Sequence, residues 1–133
     1  MSKRFEILVV DDDKEDHVIM LDYFQDFGMG DKVYFVENGK NALQYLDEIS
    51  DDDSLPHLII LDLNMPILNG TQTLVKIKQT SRYRNIPVII FSTSENETER
   101  RKCLSFGAVD YMVKPTTMAE GEQTVRKFSS FID

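Results

Sequence analysis

Three aspartates and a lysine stand where apolar runs of this chain stop: Asp11 and Asp12 after Ile7-Leu8-Val9-Val10, Asp62 after Leu58-Ile59-Ile60-Leu61, and Lys114 after Tyr111-Met112-Val113. Ser92 closes a fourth run, Val88-Ile89-Ile90-Phe91. Such continuously aliphatic stretches read as strands buried on both faces, which belong to parallel sheets covered by helices. Open α/β sheets gather their ligands at the carboxyl ends of strands, so side chains far apart in sequence converge on one crevice. Three carboxylates there repel one another and rise in pKa unless a cation joins them. Oxygen donors without thiolate or imidazole select Mg²⁺ or Mn²⁺ over zinc. A divalent ion so held keeps positions open for phosphate oxygens, and the Lys114 ammonium with the Ser92 hydroxyl completes a cradle for a phosphoryl group. No histidine, cysteine or glycine-rich phosphate loop falls at these ends, so Asp62 is the best-placed nucleophile. Taken alone, Asp62 would simply begin a loop; its neighbours at the other strand ends give it a further meaning.

The elements that must position these groups alternate strand and helix. Phe5 to Val10 reads as a first strand. Asp13 then caps a helix, with Asp16 three residues on as an approximate capping box, and Met20, Leu21, Phe24 and Phe27 follow at helical spacing before Gly28 and Gly30. Val33 to Val36 is a second strand, Asn38-Gly39 a turn, and Ala42, Leu43, Leu46 and Ile49 mark the inner face of a second helix. The third strand ends at Asp62, and a turn through Pro66 and Asn69-Gly70 leads to a helix with Leu74 and Ile77 inward. Val88 to Phe91 is the fourth strand, Glu95 to Phe106 the fourth helix with Gly107 at its C′ position, and Asp110 to Val113 the fifth strand. A last helix presents Val125, Phe128 and Phe131. Five such units with short connections predict an α/β fold: a five-stranded parallel sheet of order 2-1-3-4-5, doubly wound with helices on both faces. Its switch point lies between strands 1 and 3, the two that end in aspartate.

A chain of 133 residues is expected to form one domain, 1–133, with no output domain attached. No apolar run approaches the roughly 18 residues of a membrane span, and secretion is not expected, since Met1 to Phe5 leads into an apolar strand without a long h-region or small-residue cleavage site. The one cysteine, Cys103, suits a reducing compartment, so the expected location is cytoplasmic. A net charge of −8 disfavours direct binding to nucleic acid or anionic lipid. The acidic run Asp47, Glu48, Asp51, Asp52 and Asp53 lacks the glycine turn and closing glutamate of a calcium loop, and reads as a solvated segment. His17 and His57 fall at no strand end and are expected to be structural or surface residues.

Val9-Val10-Asp11-Asp12, Leu61-Asp62-Leu63-Asn64-Met65-Pro66 with Gly70, Pro87 to Ser92, and Gly107-Ala108 through Tyr111 to Lys114-Pro115 stand in order and at suitable spacing. On these motifs nearly the whole chain resembles a receiver domain of two-component response regulators, of the stand-alone type similar to the chemotaxis regulator. The resemblance implies that Asp62 accepts a phosphoryl group from a sensor histidine kinase, a phosphotransfer protein or a small donor such as acetyl phosphate. It implies Mg²⁺ held directly by Asp12 and Asp62, by Asp11 through water and by the backbone carbonyl of Asn64. It makes Lys114 the partner of the phosphoryl oxygens, Ser92 a switch hydroxyl and Tyr111 the aromatic that follows it. Tyr111 read without the resemblance is a plain strand aromatic. Output is expected through helix 4, strand 5 and helix 5, to a downstream protein or a second copy. Lys114-Pro115 is expected to be a cis peptide. Thr93 departs from the alanine or glycine usual in that family, and its bulk is expected to narrow access to Asp62.

Two other classes compete. A haloacid-dehalogenase-like phosphatase also uses an aspartate nucleophile with Mg²⁺, but carries it on the first strand with a second aspartate two residues on, where Asp62 is followed by Asn64. A flavodoxin-like cofactor binder needs a Ser/Thr/Gly-rich loop after strand 1, and an acidic crevice repels its phosphate.

Overall fold

In β1 (Ile7–Val10) the strand period of two sends Leu8 and Val10 to one face of the sheet and Ile7 and Val9 to the other, and all four are buried. The computed structural model describes residues 5–63, 65 and 68–132. The remaining elements in chain order are α1 (Lys14–Asp26), β2 (Val33–Val36), α2 (Gly39–Glu48), β3 (Leu58–Asp62), α3 (Gly70–Gln79), β4 (Val88–Ser92), α4 (Glu97–Ser105), β5 (Asp110–Val113) and α5 (Met118–Ser129). Short 3-10 turns at Gly30–Lys32 and Asp52–Ser54 lead into β2 and towards β3.

All pairings are parallel and the order is β2-β1-β3-β4-β5, as the alternation requires. One core lies between the sheet and α2, α3 and α4, through Ala42, Leu46, Leu74, Ile77 and Cys103. The other lies under α1 and α5, where Phe24, Phe91 and Phe128 pack ring against ring. β1, β3 and β4 sit between the two cores, which is why their sequences are apolar without alternation.

Side-chain caps set where the helices start. Asn38, Asn69, Asn96 and Thr117 each accept a backbone N–H three residues on, and Asn69 forms a reciprocal capping box with Gln72. The fourth helix therefore starts at Glu97, later than the apolar spacing alone suggests. Gly107, at φ 107°, terminates it in the left-handed region.

Two expectations are corrected. The capping box of Asp13 with Asp16 does not form: Asp13 accepts from the Glu15 N–H, but its own N–H already donates to Asp11 Oδ1 at 2.9 Å, and the Asp16 carboxylate turns to Lys114 instead. A charged hydrogen bond to an ammonium outcompetes a neutral backbone donor already satisfied. The Lys114–Pro115 bond is trans, with no cis peptide among the described residues. Trans is favoured by roughly 0.5–1 kcal/mol, and the long stem of Lys114 reaches the crevice without a reversed peptide.

The acidic run is exposed as expected, with Asp52 tied to Arg82 at 2.7 Å. Arg82 also donates to the carbonyls of Leu46 and Ile49, so it caps the carboxyl end of α2.

Candidate functional site

Parallel pairing in register brings the ends of β1, β3, β4 and β5 to one edge of the sheet, and the expected side chains meet there. One carboxylate oxygen each from Asp11, Asp12 and Asp62 lies within 4.8 Å of the others. Asp11 and Asp62 are buried and Asp12 is exposed. At an effective dielectric of about 20, unit charges that close repel by roughly 3 kcal/mol, a cost that a divalent ion among three hard oxygens turns into attraction. The donor set therefore fits Mg²⁺ or Mn²⁺. The Asn64 carbonyl and Pro66 lie outside the described residues.

Lys114 comes from the far edge of the sheet. Its backbone N–H donates to the Ser92 carbonyl at 2.7 Å, which extends the β4–β5 pairing past the strand and aims the side chain inward. Nζ donates to Asp16 Oδ2 at 2.8 Å and to Asp11 Oδ2 at 2.9 Å, with Asp62 Oδ2 at 3.7 Å. Burial acts to lower the Lys114 pKa, but the hydrogen bonds from Asp16 and Asp11 and the charges of Asp11 and Asp62 outweigh it and hold it above the ordinary value. Lys114 is thus a fixed cation. For Asp11 burial is the leading cause and raises the pKa, against the Asp13 N–H and Lys114, which lower it.

Close approach of α3 fixes the Asp62 backbone. A Cβ on Gly70 would stand 2.2 Å from the Asp62 carbonyl oxygen and 2.6 Å from the Leu63 Cα, so only glycine lets this helix start there. The Gly70 N–H donates to the Leu63 carbonyl at 3.0 Å.

Ser92 is fully buried at the end of β4, and its Oγ accepts from the Ser94 N–H at 3.1 Å. Thr93 beside it is exposed. Tyr111 faces inward, with its hydroxyl 2.8 Å from the Ser94 carbonyl and 2.7 Å from Glu99 Oε1. Burial pushes the Tyr111 phenol above its ordinary pKa; Ser92 opposes the rise and Glu99 adds to it.

Asp16 and Glu99 escaped the sequence reading. Asp16 sits in the first turn of α1, and helical side chains lean towards their amino terminus, so a carboxylate five residues past Asp11 can reach back over the strand end. That lean is the signal that could have found it. His17 is structural but close by: its Nε2 lies 2.6 Å from the Asp11 carbonyl oxygen, and its ring packs on Phe35.

Comparison with known proteins agrees with this geometry. The family model described as "Response regulator receiver domain" matches residues 7–126. The probable methanogenesis regulatory protein FilR2 of Methanothrix harundinacea is 30% identical over 128 residues, 96% of this chain and 83% of that protein. The crystal structure of the phosphorylated cyanobacterial phytochrome response regulator RcpA superposes with a TM-score of 0.82 at 28% identity, covering 96% of this chain and 93% of that one. The Mn²⁺-bound form of response regulator Rcp1 gives a TM-score of 0.75 at 26% identity, over 94% of this chain and 91% of that one.

Proposed function

The chain belongs to the response regulator receiver domain family, and from that premise we propose that it accepts a phosphoryl group on Asp62 in a Mg²⁺-dependent reaction and signals through a protein contact. The observation that carries this reading is the meeting of Asp11, Asp12, Asp62 and Lys114 in one crevice. A carboxylate oxygen of Asp62 attacks the phosphorus of a phosphohistidine on a sensor kinase or phosphotransfer protein. The new O–P bond forms as the P–N bond breaks, and the electron pair leaves on the imidazole. Asp11, Asp12, Asp62 and the Asn64 carbonyl would hold Mg²⁺, which would supply positive charge to offset the repulsion between the two anionic partners. Lys114 orients the phosphoryl oxygens and holds a positive charge beside them. The reading is that of a switch rather than a turnover enzyme, and the phosphatase alternative gains nothing, since the candidate nucleophile lies on β3.

Ser92 would take up one phosphoryl oxygen and draw the loop after β4 inward. Tyr111 and the face formed by α4, β5 and α5 would then shift between two populated states. The contact that changes is with a downstream protein or a second copy.

Acetyl phosphate should label the wild type once, at Asp62, with Mg²⁺ or Mn²⁺ and not with chelator. Asp62→Asn should abolish the label, read by intact-mass spectrometry. Label retained on Asp62→Asn at the same rate would overturn the assignment. In the same experiment Ser92→Ala should still label but lose most of the NMR shift changes on α4, β5 and α5; an undiminished shift would remove Ser92 from the switch.

A further inference from the structure

Lys114 is held as closely by Asp16 as by Asp11 and more closely than by Asp62: Asp16 Oδ2 stands 2.8 Å from Nζ, Asp11 Oδ2 2.9 Å and Asp62 Oδ2 3.7 Å. Asp16 belongs to none of the motifs of the site, and it lies outside the group of oxygens that could hold a metal. Its side chain is 29% exposed against 5% for Asp11, so it can keep a charge at smaller cost in desolvation. The ammonium and a divalent ion compete for the same carboxylate. An ion on the Asp11 carboxylate, directly or through water, draws its charge away from Lys114, and a largely buried cation whose anion is weakened is costly.

Resting on the reading of Asp62 as a metal-assisted phosphoacceptor, we infer that Asp16 is a positioning residue: it retains Lys114 at the mouth of the crevice when Asp11 turns to the metal, and so strengthens Mg²⁺ binding while keeping the ammonium within reach of an incoming phosphoryl group. Asp16 acts through Lys114 and touches neither metal nor phosphoryl group.

A double-mutant cycle on the whole chain separates this from a general effect of charge. Mg²⁺ affinity is measured by isothermal titration calorimetry for the wild type, Asp16→Asn, Lys114→Met and the double variant, with thermal midpoints to verify folding. Asparagine keeps the shape and one acceptor, and methionine keeps the stem without the charge. In the wild-type background Asp16→Asn should weaken Mg²⁺ binding about three- to tenfold. With Lys114→Met the same change should cost less than about twofold, since only the direct loss of a distant charge remains. Equal factors in the two backgrounds, or no effect in the first, overturn the inference. Acetyl phosphate labelling of the wild type keeps the two readings apart. A chain that binds Mg²⁺ with the expected coupling but takes no label at Asp62 fails as a phosphoacceptor and retains the Asp16 role at the metal. One that labels but shows additive effects loses the Asp16 role alone.

Discussion

Alkaline pH acts on the individual side chains that burial has shifted. Burial lifts Tyr111 and Tyr45 above 10.0 and Cys103 above 9.0, and the anions around Lys114 lift it above 10.5 despite burial. In each case the folded chain binds the proton more tightly than the unfolded one. The associated stability is therefore complete below the unfolded value and lost as pH rises through the folded one. Lys78 runs the other way: burial lowers it while Nζ donates to the carbonyls of Arg84 and Ile86, so its loss of a proton offsets part of the decline. The thermal midpoint should hold steady through neutral pH and fall from about pH 9 upward, with a subset of tyrosines ionising late by ultraviolet absorbance. Tyr111→Phe should remove one of the late group. Uniform ionisation of all tyrosines at the ordinary value would contradict the burial assigned to Tyr111. At this scale the residues legible in the sequence are those at strand ends, Asp11, Asp12, Asp62, Ser92 and Lys114, because an apolar run announces where it stops. Asp16 and Glu99 were not legible, because the rotation of a helix about its axis decides what they face, and helix starts are ambiguous by a residue or two.

Elements place the site by how closely they approach one another. The start of α3 lies against the Asp62 backbone only because Gly70 has no side chain. Gly70→Ala forces backbone against backbone, which cannot relax as a flexible side chain would. The variant should lose about 1–3 kcal/mol of stability, read by denaturant titration, and bind Mg²⁺ more weakly because the Asp62 backbone shifts. Lowered stability with undiminished Mg²⁺ affinity would confine the effect to α3. The alternation of elements was readable from apolar spacing and glycine, while their exact ends followed from capping asparagines, such as Asn96, that spacing does not see. Trans geometry at Lys114–Pro115 was not readable: nothing in the sequence distinguishes the isomers, and the expectation came from resemblance.

At the scale of the molecule, the sheet divides the interior into two cores, and the five α-helices among the described residues share them unequally. The strand order was legible because unbroken apolar runs leave few ways to cover both faces. What such runs do not disclose is how firmly each helix is attached. α1, α2, α3 and α5 each seal two or more side chains, whereas α4 seals one, Cys103, which is 1% exposed. That side chain is also the one thiol of the chain. Its alkylation should wait for α4 to lift from the sheet, so labelling speed is expected to report the fraction of molecules in which the helix is detached while the rest of the fold stays closed. A water-soluble maleimide should react far more slowly than with a free thiol. Removing the α4 cap by Asn96→Ala should speed the reaction roughly fivefold for a cost of about 1 kcal/mol, with the thermal midpoint lowered by about 3–5 °C. An unchanged rate would mean that the thiol is reached without detachment of α4. Otherwise the chain carries its own stopwatch on the helix beside Tyr111, and adding acetyl phosphate with Mg²⁺ would show directly whether phosphorylation slows or speeds it.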